Sequence, residues 1–307
     1  MTGERTGERE KRIRKILLPL DGSAFAERAA PVAQQLASAL GADLLVVRII
    51  PSLTWAYAAA GGPTSADVYE RLLRDEEREV EQYLSRMAQS GEALGIRTLT
   101  IAARGEVASA LLDIIIDEQV DLVVMSTHGR TGAERFALGS VADRVMRAGS
   151  APTLLLRSFL DSASQTPVRL SRAVVTVDGS KLAETALDMV EALAGSVITS
   201  VALLRVLPLE AAAEETQDAR NYLHDVAGRL RERLGASGVE VTTELEYGPV
   251  AERILENAEQ RRDLIVMATH GDTGARRWAY GSVTDRVLHG ARTPLLVTRL
   301  TAEKRPS

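Results

Sequence analysis

Shifted by 142 residues, the chain lies over itself: Asp121 to Arg157 falls on Asp263 to Arg299 without a gap. Between Thr127 and Val145, 14 of 19 positions are identical to their counterparts. The beginnings match as well, KILLPLDGS (Lys15 to Ser23) over AVVTVDGS (Ala173 to Ser180), at a shift of 157. The two shifts differ by 15 residues, so the first copy carries that much extra chain, most economically placed after Pro51. A repeat of this period means that whatever one half folds into, the other half folds into too.

With 307 residues, each copy has enough chain to bury its own core. The boundaries read as residues 13–157 for the first domain and 172–299 for the second. Between them, residues 158–171 contain FLDSASQTPVRLS, rich in Ser with a Pro and without periodicity, which reads as a linker. Residues 1–12 and 301–307 read as frayed ends.

Within each copy short apolar runs alternate with amphipathic stretches. KILLPL, ADLLVVRII, IRTLTIA, DLVVMS and TLLLR are strand candidates in the first copy; RAVVTV, VITSVALLRVL, VEVTTELE, DLIVMA and PLLVTR answer them in the second. The intervening segments, such as AFAERAAPVAQQLASAL, place small and aliphatic residues three and four apart, the helical spacing. Strands apolar on both faces and separated by helices predict a parallel sheet covered on both sides. The longest polar helix, Asp67 to Leu94, contains DEEREVEQYL, which reads as a solvated face; its counterpart is Thr216 to Leu234.

Composition excludes several functions. A formal net charge of -5, with both signs interspersed, gives no electrostatic footprint for nucleic acid or an anionic membrane. There are no cysteines, hence no disulfide scaffold, thiol nucleophile or Cys-ligated zinc. MTGERTGEREKRIRK lacks the apolar stretch of a secretory signal, and no segment supplies about 18 consecutive apolar residues, so the expectation is a cytoplasmic protein.

In an open parallel sheet, ligands bind beyond the carboxyl ends of the strands, where the strand order reverses. The two features that repeat best are both at strand ends: Asp21 and Asp178 after the first strand, and STHGRTGAERFALGS (Ser126 to Ser140) and ATHGDTGARRWAYGS (Ala268 to Ser282) after the fourth. A carboxylate there can accept hydrogen bonds from ribose hydroxyls, and a glycine-rich loop lets backbone N–H groups approach phosphate oxygens. Gly139-Ser140 and Gly281-Ser282 open candidate helices, whose N-termini attract anions. The blander alternative is that the glycines are turn residues, that Ser140 and Ser282 are N-caps, and that Asp-Gly-Ser is a capping device. His128 and His270 read as locally hydrogen-bonded rather than metal ligands. Arg48 and Arg205, inside apolar strands, read as paired or edge-exposed, with contact to a ligand as the alternative. Trp55 and Tyr57 sit in the extra segment and carry no functional assignment.

These residues resemble the universal stress protein family in its tandem two-domain form. Ser126, Gly129 and Gly139-Ser140 are similar to that family's Gly-x2-Gly-x9-Gly-Ser/Thr nucleotide signature, with serine at the first glycine; Ala268, Gly271 and Gly281-Ser282 repeat it with alanine there. The resemblance implies two Rossmann-like (adenine nucleotide alpha hydrolase-like) α/β domains, each a five-stranded parallel sheet of order 3-2-1-4-5 with helices on both faces. It also implies ATP or AMP in the crevice and pairing of last strands between domains. Carried onto this chain, Pro19 and Asp21, with Asp178 in the second copy, meet the ribose and adenine side, and Ile49 and Val206 line the adenine pocket. Ser126, Gly129, Arg130, Gly139, Ser140 and Val141 take the phosphates in the first copy, and Ala268, Gly271, Gly281, Ser282 and Val283 in the second. Thr176 replaces the proline that Pro19 supplies. Asp272 stands where the first copy has Arg130; a carboxylate repels a triphosphate that a guanidinium attracts, so the first site is expected to bind ATP more tightly.

The expected function is an ATP-binding protein of stress response or signalling, with Mg accompanying the nucleotide and no metal ligands from the protein. Neither GxxxxGK[ST] nor a repeated His/Asp/Ser set occurs, so at most slow ATP hydrolysis is expected. An interaction scaffold built from the same pseudo-dimer without nucleotide, and an adenylate-transferring enzyme, are the alternatives; neither glycine loop contains the lysine that the last would need. The terminal strands Thr153 to Arg157 and Pro294 to Arg299 would be bare edges in isolated domains, and are expected to pair within the chain or in a homodimer. An unidentified protein partner completes the expectation.

Overall fold

The computed structural model describes residues 12–51, 66–127, 138–156, 168–261, 263–269 and 280–299, with the backbone alone for 66–69. The first copy runs β1 (Lys15–Pro19), α1 (Ala24–Glu27), α2 (Ala30–Leu40), β2 (Asp43–Pro51), α3 (Ala66–Glu92), β3 (Thr98–Gly105), α4 (Val107–Asp117), β4 (Leu122–Ser126), α5 (Ser140–Ala148) and β5 (Thr153–Leu156). The second runs β6 (Arg172–Thr176), α6 (Lys181–Glu184), α7 (Ala186–Leu193), β7 (Ser200–Leu207), α8 (Ala213–Leu234), β8 (Glu240–Tyr247), α9 (Val250–Arg261), β9 (Leu264–Ala268), α10 (Ser282–Gly290) and β10 (Leu295–Thr298). β2 and β7 begin 157 residues apart and α4 and α9 begin 143 apart, so the extra chain of the first copy lies between those elements. Trp55 and Tyr57 fall there, outside the described residues.

The ten strands of the described residues form one sheet, in the order β3-β2-β1-β4-β5-β10-β9-β6-β7-β8. Each half is parallel and has the order 3-2-1-4-5, as the resemblance implied. The sheets of the two halves are joined by the antiparallel pairing of β5 with β10, in which Leu155 faces Leu295 and Thr153 faces Val297. The intrachain alternative for the terminal strands is therefore the one observed. Because β5 is also bonded to β4 and β10 to β9, neither has an open edge, and the homodimer expected through these strands has nothing left to pair with.

The sheet is buried on both faces where it is central. Every residue of β4, β5, β9 and β10 is buried. Successive residues of β5 feed opposite cores, Leu154 and Leu156 one and Leu155 the other, and both cores continue across the seam into Leu296 and Leu295 respectively. The outer strands differ from the expectation of two apolar faces. β3 and β8 are half-buried or exposed along most of their length, because an edge strand has one neighbour instead of two.

Two further differences have local causes. The segment 24–40 reads as one helix but forms two, α1 and α2, with Pro31 at the start of the second. Proline has no N–H to give to the carbonyl four residues back, and its ring collides with that carbonyl, here Glu27. The segment read as linker is not all linker: Leu170 is buried in the same apolar cluster as Ile13, its counterpart at the 157 shift.

Candidate functional site

The carboxyl ends of β1, β2 and β4 and the N-terminus of α5 enclose a cavity of about 280 Å3. Its floor is the place where strand order reverses, β1 being bonded to β2 on one side and β4 on the other. Among the residues expected to bind a ligand, Pro19, Asp21, Ile49, Ser126, Gly139, Ser140 and Val141 all line this one cavity. Gly129, Arg130 and Gly271, with His128, His270 and Asp272, lie outside the described residues.

The Asp-Gly-Ser turn is built twice with the same geometry. Asp21 Oδ1 accepts the Ser23 N–H at 2.9 Å, and Ser23 Oγ in turn caps α1 by accepting from Ala26 N at 3.1 Å. Asp178 and Ser180 repeat this at 2.9 and 3.0 Å, ahead of α6. The capping reading of this motif thus holds as far as Ser23 and Ser180, while Asp21 also borders the cavity. Gly22 sits at φ +82°, in the left-handed region, and a Cβ there would come within 3.2 Å of the Arg48 guanidinium.

Arg48 is neither at a sheet edge nor exposed. Its guanidinium lies 4.9 Å from the centroid of the Tyr83 ring on α3, against the Asp-Gly-Ser turn and in the cavity wall. Burial, and then the neighbouring Glu27, push the Tyr83 hydroxyl above its ordinary value, so the ring under Arg48 stays neutral. Arg205 and Tyr222 make the equivalent contact at 5.1 Å in the second copy.

At the other end of the cavity, Gly139 is the N-cap of α5 and its N–H donates to the Thr127 carbonyl at 2.8 Å. Gly281 caps α10 and donates to Thr269 O at 3.1 Å. The alternative that Ser140 and Ser282 are N-caps does not hold: each is the first helical residue, and among the described residues no side chain caps either helix. Gly139 and Gly281 have φ of -60° and -62°, which any residue adopts, so the conformation here does not require glycine. What the missing Cβ provides is an N-terminus that the capping residue itself does not cover, where N–H groups without intrahelical partners and the helix dipole favour an anion.

The remaining wall comes from helices that the sequence reading left out. Glu76 and Val80 of α3 and Val107 and Leu111 of α4 line the cavity. The charge run on α3 is therefore only partly solvated: Val80, Tyr83 and Leu84 are buried, and Arg104 at the end of β3 binds Glu77 at 3.1 Å, Glu76 at 3.4 Å and Leu73 O at 3.2 Å, holding the helix over the crevice. In the second copy Asp178 follows β6, Val206 lies in β7, Ala268 ends β9, and Gly281, Ser282 and Val283 begin α10, the same relative places. Val206 and Val283 pack on the apolar core, and the Ala268 carbonyl accepts the Thr284 hydroxyl at 3.3 Å.

Among the described residues, no cluster of three or more His, Cys, Asp or Glu is arranged to hold a metal ion, and no helix is long and apolar enough to cross a membrane.

A tandem pair of doubly wound α/β units, each reversing its strand order beside the N-terminus of a glycine-capped helix, is the class of protein that this fold defines. The chain belongs to the universal stress protein family, whose model matches residues 12–157 and 170–299. A universal stress protein of Mycolicibacterium smegmatis is 27% identical over 299 residues, covering 92% of this chain and 96% of its own. One from Synechocystis is 24% identical over 308 residues, covering 94% and 100%. Among solved structures, a universal stress protein from Archaeoglobus fulgidus superposes with a TM-score of 0.68 at 18% identity, covering 95% of this chain and 99% of its own, a likeness of fold.

Proposed function

We propose that this protein binds an adenine nucleotide, ATP or AMP, at the strand-end crevice, and that the bound nucleotide alters domain packing or partner binding in a cytoplasmic stress or signalling response. One observation carries this reading: a single cavity is lined both by a carboxylate, Asp21, and by a helix N-terminus, at Gly139, Ser140 and Val141, that no described side chain caps. The same cavity is lined by apolar side chains, Ile49, Val80, Val107 and Leu111 among them, with Arg48 and Glu76 as further charged groups in its wall. A nucleoside phosphate offers a complement to each of these groups: ribose hydroxyls that donate to a carboxylate, a flat base for apolar walls, and phosphates for the N–H groups of a helix N-terminus. Mg would travel on the phosphates, since the described residues offer it no cluster of ligands.

Calorimetric titration of nucleotide-free, folded protein with Mg-ATP, then AMP and GTP, tests the proposal. Saturable binding of an adenine nucleotide, weakened by Asp21→Ala, is the expected result. Absence of binding at millimolar ATP favours the interaction scaffold, in which the same turns serve folding alone.

A further inference from the structure

The second copy contains another cavity, of about 320 Å3, between the carboxyl end of β8 and α9, lined by Glu246, Tyr247, Arg253, Glu256, Asn257 and Gln260. None of these residues belongs to the strand-end site. Asn257 is 6% exposed. Its Nδ2 donates to Glu244 Oε2 at 2.7 Å and to Glu246 Oε1 at 2.6 Å. Two carboxylates require two N–H donors, which fixes the orientation of the amide and turns Oδ1 away from them. That buried Oδ1 has no donor from the protein. One turn earlier, Arg253 pairs through Nη2 with Glu256 at 2.8 Å, while its Nε is buried without an acceptor. Residues four apart share a helix face, and both side chains line the same cavity, each carrying one buried polar atom for which the described residues provide no partner.

The first copy shows that neither group is needed for the fold. At the 143-residue offset of α4 and α9, Ala110 and Ile114 stand where the second copy has Arg253 and Asn257. Both pack on the apolar core. Exchanging an apolar contact for buried polar atoms with no partner is costly, and a ligand that supplies the partners reverses the cost.

The unused groups specify the ligand. Asn257 Oδ1 and the Glu246 carboxylate are acceptors on a wall whose net charge is negative, because Glu256 offsets Arg253; an ammonium group suits them. Arg253 Nε–H is a donor and suits a neighbouring oxygen. That oxygen is neutral, since a carboxylate would face both Glu246 and Glu256. From this geometry we propose that the β8–α9 cavity binds a small primary amino alcohol, its ammonium on Asn257 and Glu246 and its hydroxyl oxygen on Arg253.

The test is a titration of the full-length, nitrogen-15-labelled protein with ethanolamine hydrochloride, followed by amide spectra at constant ionic strength and without nucleotide, with n-propylamine hydrochloride as the analogue lacking the oxygen. Saturable shifts confined to residues 244–260, with propylamine about tenfold weaker, are expected; tenfold corresponds to about 1.4 kcal/mol. Asn257→Ile and Arg253→Ala, which install first-copy-like side chains, are each expected to abolish saturation, and Arg253→Ala keeps the test decisive if Asn257→Ile does not fold. Shifts that fail to saturate, that spread over the surface, or that survive in a folded variant overturn the proposal. Because no nucleotide is present, none of these results bears on the strand-end site.

Discussion

The guanidinium of Arg147, on α5 of the first copy, lies 4.3 Å from the ring centroid of Tyr280, the residue that precedes the N-cap of α10 in the second. The Tyr280 hydroxyl donates to the Asp143 carbonyl at 3.1 Å, Asp143 grips Arg147 Nε with both oxygens at 2.9 Å, and Arg299 donates to the Arg147 carbonyl. The helix beside the first-copy cavity thus holds the residue that leads into the matching helix of the second copy. Stacking of this kind contributes about 0.5–2 kcal/mol. Tyr280→Leu, the residue that stands at position 138 of the first copy, is expected to cost about 1–2 kcal/mol in urea unfolding, and a double-mutant cycle with Arg147→Ala should return a coupling of about 1 kcal/mol. A coupling near zero would show that the two side chains are only neighbours.

Gly139 separates a folding role from a binding role. Its φ of -60° needs no glycine, and serine is an equal or better N-cap. Gly139→Ser is expected to leave the unfolding midpoint unchanged or slightly raised while weakening adenine nucleotide by roughly tenfold, through the Cβ it adds at the helix N-terminus. Calorimetry and a thermal scan on the same sample check both halves; unchanged affinity would return the glycine to the turn reading.

Gly22 predicts the opposite pattern. At φ +82°, with the Arg48 guanidinium 3.2 Å from any added Cβ, Gly22→Ala is strained whatever occupies the crevice. A loss of about 1 kcal/mol or more of stability is expected without ligand. A neutral effect in urea unfolding would mean that Arg48 and the turn readjust freely.

Glu106 gives the fold an acid-sensitive joint. Its carboxylate caps α4, accepting from Ala108 N and Ser109 N at 3.2 and 2.9 Å, and it meets Arg144 at 2.7 Å. Hydrogen bonds from Ser109, before the smaller effects of Ala108 and Arg144, hold the carboxyl below its ordinary 4.5. A depressed folded value means stability that is present above pH 4.5 and lost as pH falls through the folded value. Glu106→Gln is expected to flatten the stability profile below pH 4.5 relative to the parent, and Glu106→Ala to cost about 1 kcal/mol at neutral pH as a lost cap. Parallel profiles for parent and Gln variant would refute the assignment.

The two crevices are expected to differ in strength. Arg130 in one loop answers Asp272 in the other, and a triphosphate distinguishes them by charge. Asp21→Ala should therefore remove most of the ATP affinity of the chain and Asp178→Ala little; calorimetry of the two variants decides, and the reverse order would overturn the argument.

Much of this was legible in the residues. Runs such as DLVVMS and DLIVMA are apolar throughout because β4 and β9 are covered on both faces, and the repeat doubled every reading. The need of TLLLR and PLLVTR for a partner was legible too, but not which partner, since that depends on how the copies face each other. Glu76 was missed for a related reason: sequence period gives a helix its polar face, while Arg104, distant along the chain, turns part of that face toward the crevice. Arg48 was ambiguous until the ring of Tyr83 was found beneath it. The polar exchange at Arg253 and Asn257 is not legible from the identities of the repeat, because there the copies differ.

The seam between β5 and β10 also changes what a single mutation can do. Two identical subunits joined along such strands would receive every amino-acid change twice, at mirrored places, and could not specialise one crevice without altering the other. Here each change is made once. Tyr280 can rest on Arg147 while position 138 keeps a leucine and position 289 a histidine. One gene thereby encodes a paired fold whose halves are free to evolve apart.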